Sequence, residues 1–354
     1  MGDFGTLIPL AAGYIVVCGL DPAALLISIG LISIITGLIF KLPIPIEPMK
    51  VLAAIAIAQS WTPSMIYASG FAMGLTWLLF SITGVIEIVA RYTPHPVIRG
   101  IQVALGVMLA IQAFNFMSTW WLLGIAVFMV ALLLRNNRFV PSMLVIMAVG
   151  IAISLYHGLP SNEKLLGFSL PAITTFDFSD LWPVMLLGGF AQIPLTATNS
   201  VLSTSSLLKT YWPGREIRPK KLSLSIGLFN LGLPFLGGMP ICHGAGGLAA
   251  KHFFGARTGG ANISIGIIEI IAGLFLAGLA ALVFAEFPEA VIGAMMLLIG
   301  IELLKFVAFV PWGWEYIPLA VTVLLSVIFN MAFGFAAGLT AFYLIRYFYR
   351  PQEA

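Results

Sequence analysis

The chain has 354 residues, 60% of them hydrophobic and 9% charged, with a mean hydropathy of +1.05. A soluble domain carries about 25% charged residues, so almost the whole length reads as a polytopic membrane protein without a separate soluble domain. The net charge of +3 follows topology and marks no nucleic-acid partner, and the two distant cysteines, Cys18 and Cys242, lie in apolar stretches and exclude a disulfide framework.

No Lys or Arg precedes the first apolar run and Asp3 is acidic, so that run reads as a retained helix rather than a cleaved signal peptide. At about 20 apolar residues per span, fourteen segments follow, near 5–20, 23–40, 46–59, 64–85, 96–115, 119–134, 140–156, 183–203, 222–237, 241–252, 262–284, 289–305, 315–329 and 331–348. Segments three and ten are too short for full helices and read as extended stretches, each followed by a half-helix. With the N-terminus in the cytoplasm, fifteen of the seventeen Lys and Arg residues fall at cytoplasmic ends, from Lys41 and Arg91 through Arg135 and Arg138 to Arg346 and Arg350. Lys164 falls outside and Lys50 within the membrane, while Asp21, Glu163, Asp177, Asp180, Glu286 and Glu289 fall on the outer side. This is the distribution of the positive-inside rule, for a cell-membrane protein with both termini cytoplasmic.

The two halves repeat. Ile8-Pro9-Leu10 recurs as Ile193-Pro194-Leu195, Pro45-Ile46 as Pro240-Ile241, and Leu52-Ala53-Ala54 as Leu248-Ala249-Ala250. Further on, Pro94, Val97 and Ile98 match Pro288, Val291 and Ile292. The offsets are 185, then 195 and 196, then 194, and the basic loop Lys209–Lys221 absorbs the ten-residue jump. Seven segments per repeat is an odd number, so the halves must be inverted in the membrane, which is a transporter architecture.

Two interruptions occupy corresponding places in the halves: Pro45-Ile46-Glu47-Pro48-Met49-Lys50, and Met239-Pro240-Ile241-Cys242-His243-Gly244-Ala245-Gly246-Gly247-Leu248. Broken backbone survives in lipid only against protein or a watery cavity, and paired breaks point to a transporter's binding site. Pro48 suits the first turn of a half-helix, with Met49 and Lys50 beside it; the second half-helix starts near His243 or Gly244, and Cys242 and Ala245 beside that start are counted with the substrate-binding residues. Each start offers N–H groups and about half a positive charge. Lys50 adds a full one, and the sum suits a dianion. Packing kinks with a snorkelling Lys50 are the bland alternative.

Glu47 either pairs with Lys50 or carries a proton with the anion; burial disfavours the carboxylate and the neighbouring cation favours it. His243 either contacts or titrates with the substrate, or is hydrogen-bonded structure; Cys242 reads as a small packing residue at the same break. Gln192, Thr196 and Asn199 share a helical face at i, i+4 and i+7, and Gln192 and Thr196 are assigned to the substrate. Glu269, in mid-span, is a proton-relay or a structural group. His95 and Arg99 belong to a boundary motif, and His157 and His252 read as peripheral. No zinc spacing, phosphate loop, catalytic triad or dinucleotide motif occurs, so an enzyme, a metal and a cofactor all lack residues to stand on.

The two interrupted motifs, the second continuing to Gly255-Ala256-Arg257-Thr258-Gly259-Gly260, resemble those of the molybdate transporter family of plants, algae and prokaryotes, which is related to the sulfate permeases. The resemblance implies an all-α membrane fold of two inverted seven-segment repeats. In it the core comprises residues 1–92 and 161–285 and the gate 93–160 and 286–354, with an oxyanion held between segments three and ten. It also suggests a homodimer through the gate. The family motif carries glutamine where this chain has Glu47, and the sequence stops four residues after Arg350, without the cytoplasmic regulatory domain of many sulfate permeases. The expectation is a secondary active transporter for a tetrahedral oxyanion, molybdate or sulfate, coupled to protons through Glu47, His243 or Glu269. A nucleobase or aromatic carboxylate carrier on the same fold, an anion channel and a membrane scaffold are the alternatives.

Overall fold

The computed structural model describes residues 4–134, 142–156 and 167–349. Asp3, Arg135, Arg138, His157, Glu163, Lys164 and Arg350, used above to set topology or set aside as peripheral, lie outside the described residues. The first half runs α1 (Phe4–Val16), α2 (Pro22–Phe40), β1 (Glu47–Pro48), α3 (Lys50–Ala58), α4 (Pro63–Thr83), α5 (Ile86–Tyr92), α6 (His95–Met117), α7 (Trp121–Leu134) and α8 (Ser142–Tyr156). The second half repeats that order as α9 (Phe178–Tyr211), α10 (Pro219–Gly232), β2 (Ile241–Cys242), α11 (Ala245–Phe253), α12 (Gly260–Phe275), α13 (Ala277–Ala285), α14 (Glu289–Leu304), α15 (Tyr316–Ile328) and α16 (Met331–Tyr349). Each helix therefore has its equivalent eight labels later.

Helices stand at all fourteen expected positions, with two further short ones, α5 and α13. Among the described residues six runs are long and apolar enough to cross a membrane unaided: Pro22–Phe40, Pro63–Thr83, His95–Leu134, Phe178–Tyr211, Glu289–Phe309 and Met331–Phe348. The pair α12 and α13 makes a seventh if its bend of 79° is counted within one span; that bend splits the single segment expected over 262–284. Starts follow local chemistry. Asp21 Oδ1 accepts the Ala24 N–H at 2.9 Å ahead of Pro22, and Thr62 caps α4 ahead of Pro63, the positions where a proline's missing N–H does no harm.

The halves interlock as symmetric partners: α2 packs on α12 as α4 packs on α10, and α6 packs on its own equivalent α14. Small residues let these backbones touch, as expected where lipid gives no hydrophobic drive to helix association. A Cβ on Gly37 would lie 2.6 Å from the Gly259 carbonyl oxygen, and one on Gly30 equally close to that of Gly266. At the equivalent crossing a Cβ on Gly74 or Gly227 would stand 2.7 Å from the Leu231 or Leu78 backbone nitrogen.

At the centre, β1 and β2 pair antiparallel with Glu47 opposite Cys242 and Pro48 opposite Ile241. By the repeat offset of 195, Cys242 is the equivalent of Glu47. A residue paired with its own equivalent places the twofold relation between the halves through this pair. The Met49 N–H donates to the Pro240 carbonyl at 2.9 Å. Asn230 on α10 then clamps Ile241, its Nδ2 donating to that carbonyl and its Oδ1 accepting that N–H, both at 2.8 Å. On the other side Asn262 Nδ2 donates to the Ile44 carbonyl at 2.5 Å and its Oδ1 accepts from Lys251 Nζ at 2.8 Å.

Two outcomes are expected from thermal unfolding in detergent. Gly37→Val meets backbone that cannot move aside and lowers stability by about 1–3 kcal/mol, the usual cost of overpacking. Asn230→Leu strands the buried N–H and carbonyl of Ile241, at about 1–3 kcal/mol for each group, and is the more destabilising of the two.

Candidate substrate-binding site

Lys50 opens α3 and Ala245 opens α11, with Met49 and Gly244 as their extended N-caps (φ −67, ψ 106 and φ −67, ψ 131). Neither cap uses its own side chain. The first bonds back into the helices come from Ala53 N–H to the Met49 carbonyl and Leu248 N–H to the Gly244 carbonyl. The N–H groups of residues 50–52 and 245–247 therefore precede the helical ladder, as at any helix start. One of them is already engaged. Gln192 Oε1 on α9 accepts the Val51 N–H at 2.8 Å, and Gln192 Nε2 donates to Thr196 Oγ1 at 2.7 Å.

Glu47 is 2% exposed and its Oε2 lies 3.2 Å from Lys50 Nζ. That oxygen accepts no hydrogen bond from the described residues. The carboxyl packs against Gly244: a Cβ there would stand 2.8 Å from Glu47 Cδ, so only glycine lets the acid approach the start of α11. Lys50 keeps 24% of its side chain exposed, while Met49 and Ala245 are buried. The sequence-assigned residues Glu47, Met49, Lys50, Gln192, Thr196, Gly244 and Ala245 are thus gathered around the two helix starts.

His243 sits at the same break, with both ring nitrogens turned to protein groups. Its Nδ1 lies 2.9 Å from the Pro45 carbonyl, which can only accept, so Nδ1 carries hydrogen. Nε2 lies 2.8 Å from Ser225 Oγ, whose proton is shared with the Leu222 carbonyl, also 2.8 Å away. Both ring nitrogens are used by protein, and the ring joins one break to the other. Cys242 is buried, with Sγ 3.9 Å from the Pro48 carbonyl.

Glu269 is elsewhere. It is 9% exposed in the α2–α12 crossing, where Ser33 Oγ donates to its Oε2 at 3.4 Å. It lies two turns, about 10 Å, along α12 from Asn262, the residue that reaches the first break. His252 stacks on Tyr211 with ring centroids 4.1 Å apart, and Arg99 lies over Phe306 at 4.7 Å; neither joins the site.

Sequence periodicity misplaced one face. The stretch Thr196–Ser203 is π-helical, as is Met185–Gly189, and the wider turn leaves Asn199 half-buried while Ser200 is only 1% exposed. Single π turns inside helices frequently mark functional sites. Here one follows Pro194, which removes a backbone donor. Ser225, Asn230 and Asn262 were also missed; polar residues on the inner faces of otherwise apolar helices were the available signal.

Comparison with known proteins places this geometry. A family model described as "Molybdate transporter of MFS superfamily" matches residues 1–109 and 184–303. Molybdate transporter 2 of Arabidopsis thaliana is 32% identical over 356 residues, covering 86% of this chain and 76% of the relative. Among solved structures, SLC26A9 superposes with a TM-score of 0.74 at 13% identity, over 99% of this chain. The chain spans 65% of the length of that protein, a little under two thirds. The transmembrane domain of the cyanobacterial bicarbonate transporter BicA superposes with a TM-score of 0.65 at 15% identity, over 96% and 97% of the two chains. At these identities the two solved structures speak for the fold, which the chain shares over nearly its whole length. Matched by the family model across both breaks, and by a relative along most of its length, the chain belongs to the molybdate transporter family.

Proposed function

We propose that the protein is a secondary active transporter of molybdate, with sulfate as the competing tetrahedral dianion. In this reading the anion is held between the starts of α3 and α11 and is accompanied by a proton. The observation that carries it is the placing of the Glu47 carboxyl against Gly244 at the start of α11, within 3.2 Å of Lys50 Nζ at the start of α3. The two helix starts supply roughly one positive charge together, and Lys50 a second. An ionised Glu47 leaves about +1 for the ligand; a protonated one leaves about +2, which balances a dianion. Glu47 is therefore the coupling group. His243, held at both nitrogens, and Glu269, in a different interface, support this site by packing.

Gln192 and Thr196 orient α3 against α9. Alternating access follows if the core, residues 1–92 and 161–285, moves against the gate, residues 93–160 and 286–354, with both termini cytoplasmic in the cell membrane and a homodimer formed through the gate. The interlocked crossings of α2 with α12 and of α4 with α10 support treating the core as one body. A nucleobase or aromatic carboxylate would also meet Glu47 here, so uracil and benzoate are the informative competitors.

Radiolabelled molybdate uptake into proteoliposomes tests this. Wild-type uptake saturates, is faster with the outside acidic, and is reduced by excess sulfate. Glu47→Gln keeps uptake and loses its dependence on the proton gradient; an unchanged dependence moves the coupling away from Glu47. Lys50→Gln weakens apparent affinity roughly ten- to a hundredfold, the loss expected for a hydrogen bond to a charged group of about 1.5–3 kcal/mol. Uptake of uracil or benzoate, with none of molybdate or sulfate from folded protein, overturns the substrate assignment.

A further inference from the structure

Between α5, α9 and α16 lies a cavity of about 600 Å³, lined by apolar groups that include Ile88, Tyr92, Ile193, Pro194, Phe335 and Ala336. Its size is that of pockets that enclose a mid-sized organic molecule, roughly 300–1,000 Å³. Two of its three helices are membrane-spanning in length and apolarity. At its mouth Ile88 and Tyr92 are 55% and 58% exposed, so the cavity is open at the surface of the helix bundle. An apolar cavity does not hold ordered water without polar partners, so hydrocarbon is the occupant its lining accepts.

The end of the cavity near Tyr92 has a different chemistry. Tyr343 Oη donates to the Tyr92 carbonyl at 2.8 Å, tying α16 to the end of α5. Beside this tie stand two exposed cations, Arg91 in the last turn of α5 and Arg346, three residues beyond Tyr343, in the last turn of α16. Basic residues between membrane helices at a cytoplasmic surface bind anionic lipid headgroups. The geometry points to a phospholipid site: one acyl chain of an anionic lipid fills the cavity, and its phosphate is held by Arg91 and Arg346. The site is distinct from the anion site but touches it through α9. Gln192 faces inward to Val51, whereas Ile193 and Pro194, the next two residues, line the cavity. A bound chain therefore buttresses the turn that positions Gln192.

Native mass spectrometry of the detergent-purified full chain tests the site. The probes are phosphatidylglycerol and phosphatidylcholine with identical acyl chains. Wild type retains one phosphatidylglycerol in preference to phosphatidylcholine. Ala336→Trp, which fills the cavity from α16, loses that lipid while remaining monodisperse; if it does not fold, Ala332→Leu, one turn earlier and also lining the cavity, takes its place. Arg91→Gln combined with Arg346→Gln keeps a bound lipid and loses the preference for phosphatidylglycerol, roughly fivefold for each arginine, the fold-change equivalent to ~1 kcal/mol per basic residue. Equal retention by wild type and the cavity-filled variant overturns the site. Equal retention of the two lipids by wild type overturns the headgroup assignment, and retention of free fatty acid alone overturns the phospholipid.

Discussion

Two stretches of non-helical backbone lie in the middle of a membrane protein, and the fold is built around satisfying their polar groups. Each unpaired N–H or carbonyl in hydrocarbon costs several kcal/mol, and each break satisfies the other. Met49 donates to Pro240, Glu47 pairs with Cys242, and His243 reaches across to the Pro45 carbonyl. Asn230 and Asn262 cover the carbonyls of Ile241 and Ile44 that the strand pair leaves. Neither half can complete its break alone, so folding of one repeat is tied to docking of the other. The same pairing fixes the starts of α3 and α11 at one place, and that place is where the charge chemistry gathers.

Holding those starts still requires a stiff surround, and the helix crossings supply it. Where Gly37 meets Gly259 and Gly74 meets Leu231, backbone packs on backbone. Such contacts leave no side chain to rearrange. Polar groups add direction to this packing. Ser33 ties α2 to Glu269, and Gln192 ties α9 to α3. In lipid such bonds have few competitors, though each contributes only about 1 kcal/mol. Rigidity here comes from many small close contacts rather than from one strong bond.

Much of this was legible in the sequence, for identifiable reasons. Proline and glycine in an apolar stretch have few tolerated uses in lipid, so both breaks and their equivalence could be read from Pro45-Ile46 and Pro240-Ile241 alone. The gathering of Glu47, Lys50, Gln192, Thr196 and Gly244 followed from helix phase and from the repeat. What could not be read were partners set by tertiary packing. His243 gave no sign that Pro45, 198 residues away, would take its Nδ1. The π-helical stretch Thr196–Ser203 exchanged Asn199 for Ser200 on the inner face, because a period of 3.6 cannot anticipate a widened turn. The bend at Leu276 between α12 and α13 carries no proline to announce it.

The position of Glu47 bears on how an anion could approach the two helix starts. The start of α11 is suited to an anion, and the carboxyl already lies against it, with Gly244 leaving it room. In the proposed site an ionised Glu47 is a tethered competitor for the anion at one helix start while it pairs with Lys50 at the other. A glutamine of the same shape would place a neutral amide there, with donors as well as an acceptor, and would not compete by charge. Under the proposed transport reading, an acid at this position links the arrival of an anion to the removal of a negative charge. That removal takes one of two forms, a proton or a swing of the side chain. A swing moves a buried charge away from Lys50, its cation at 3.2 Å. A proton, the form the proposed coupling takes, would cancel the charge where it stands and leave Lys50 for the anion.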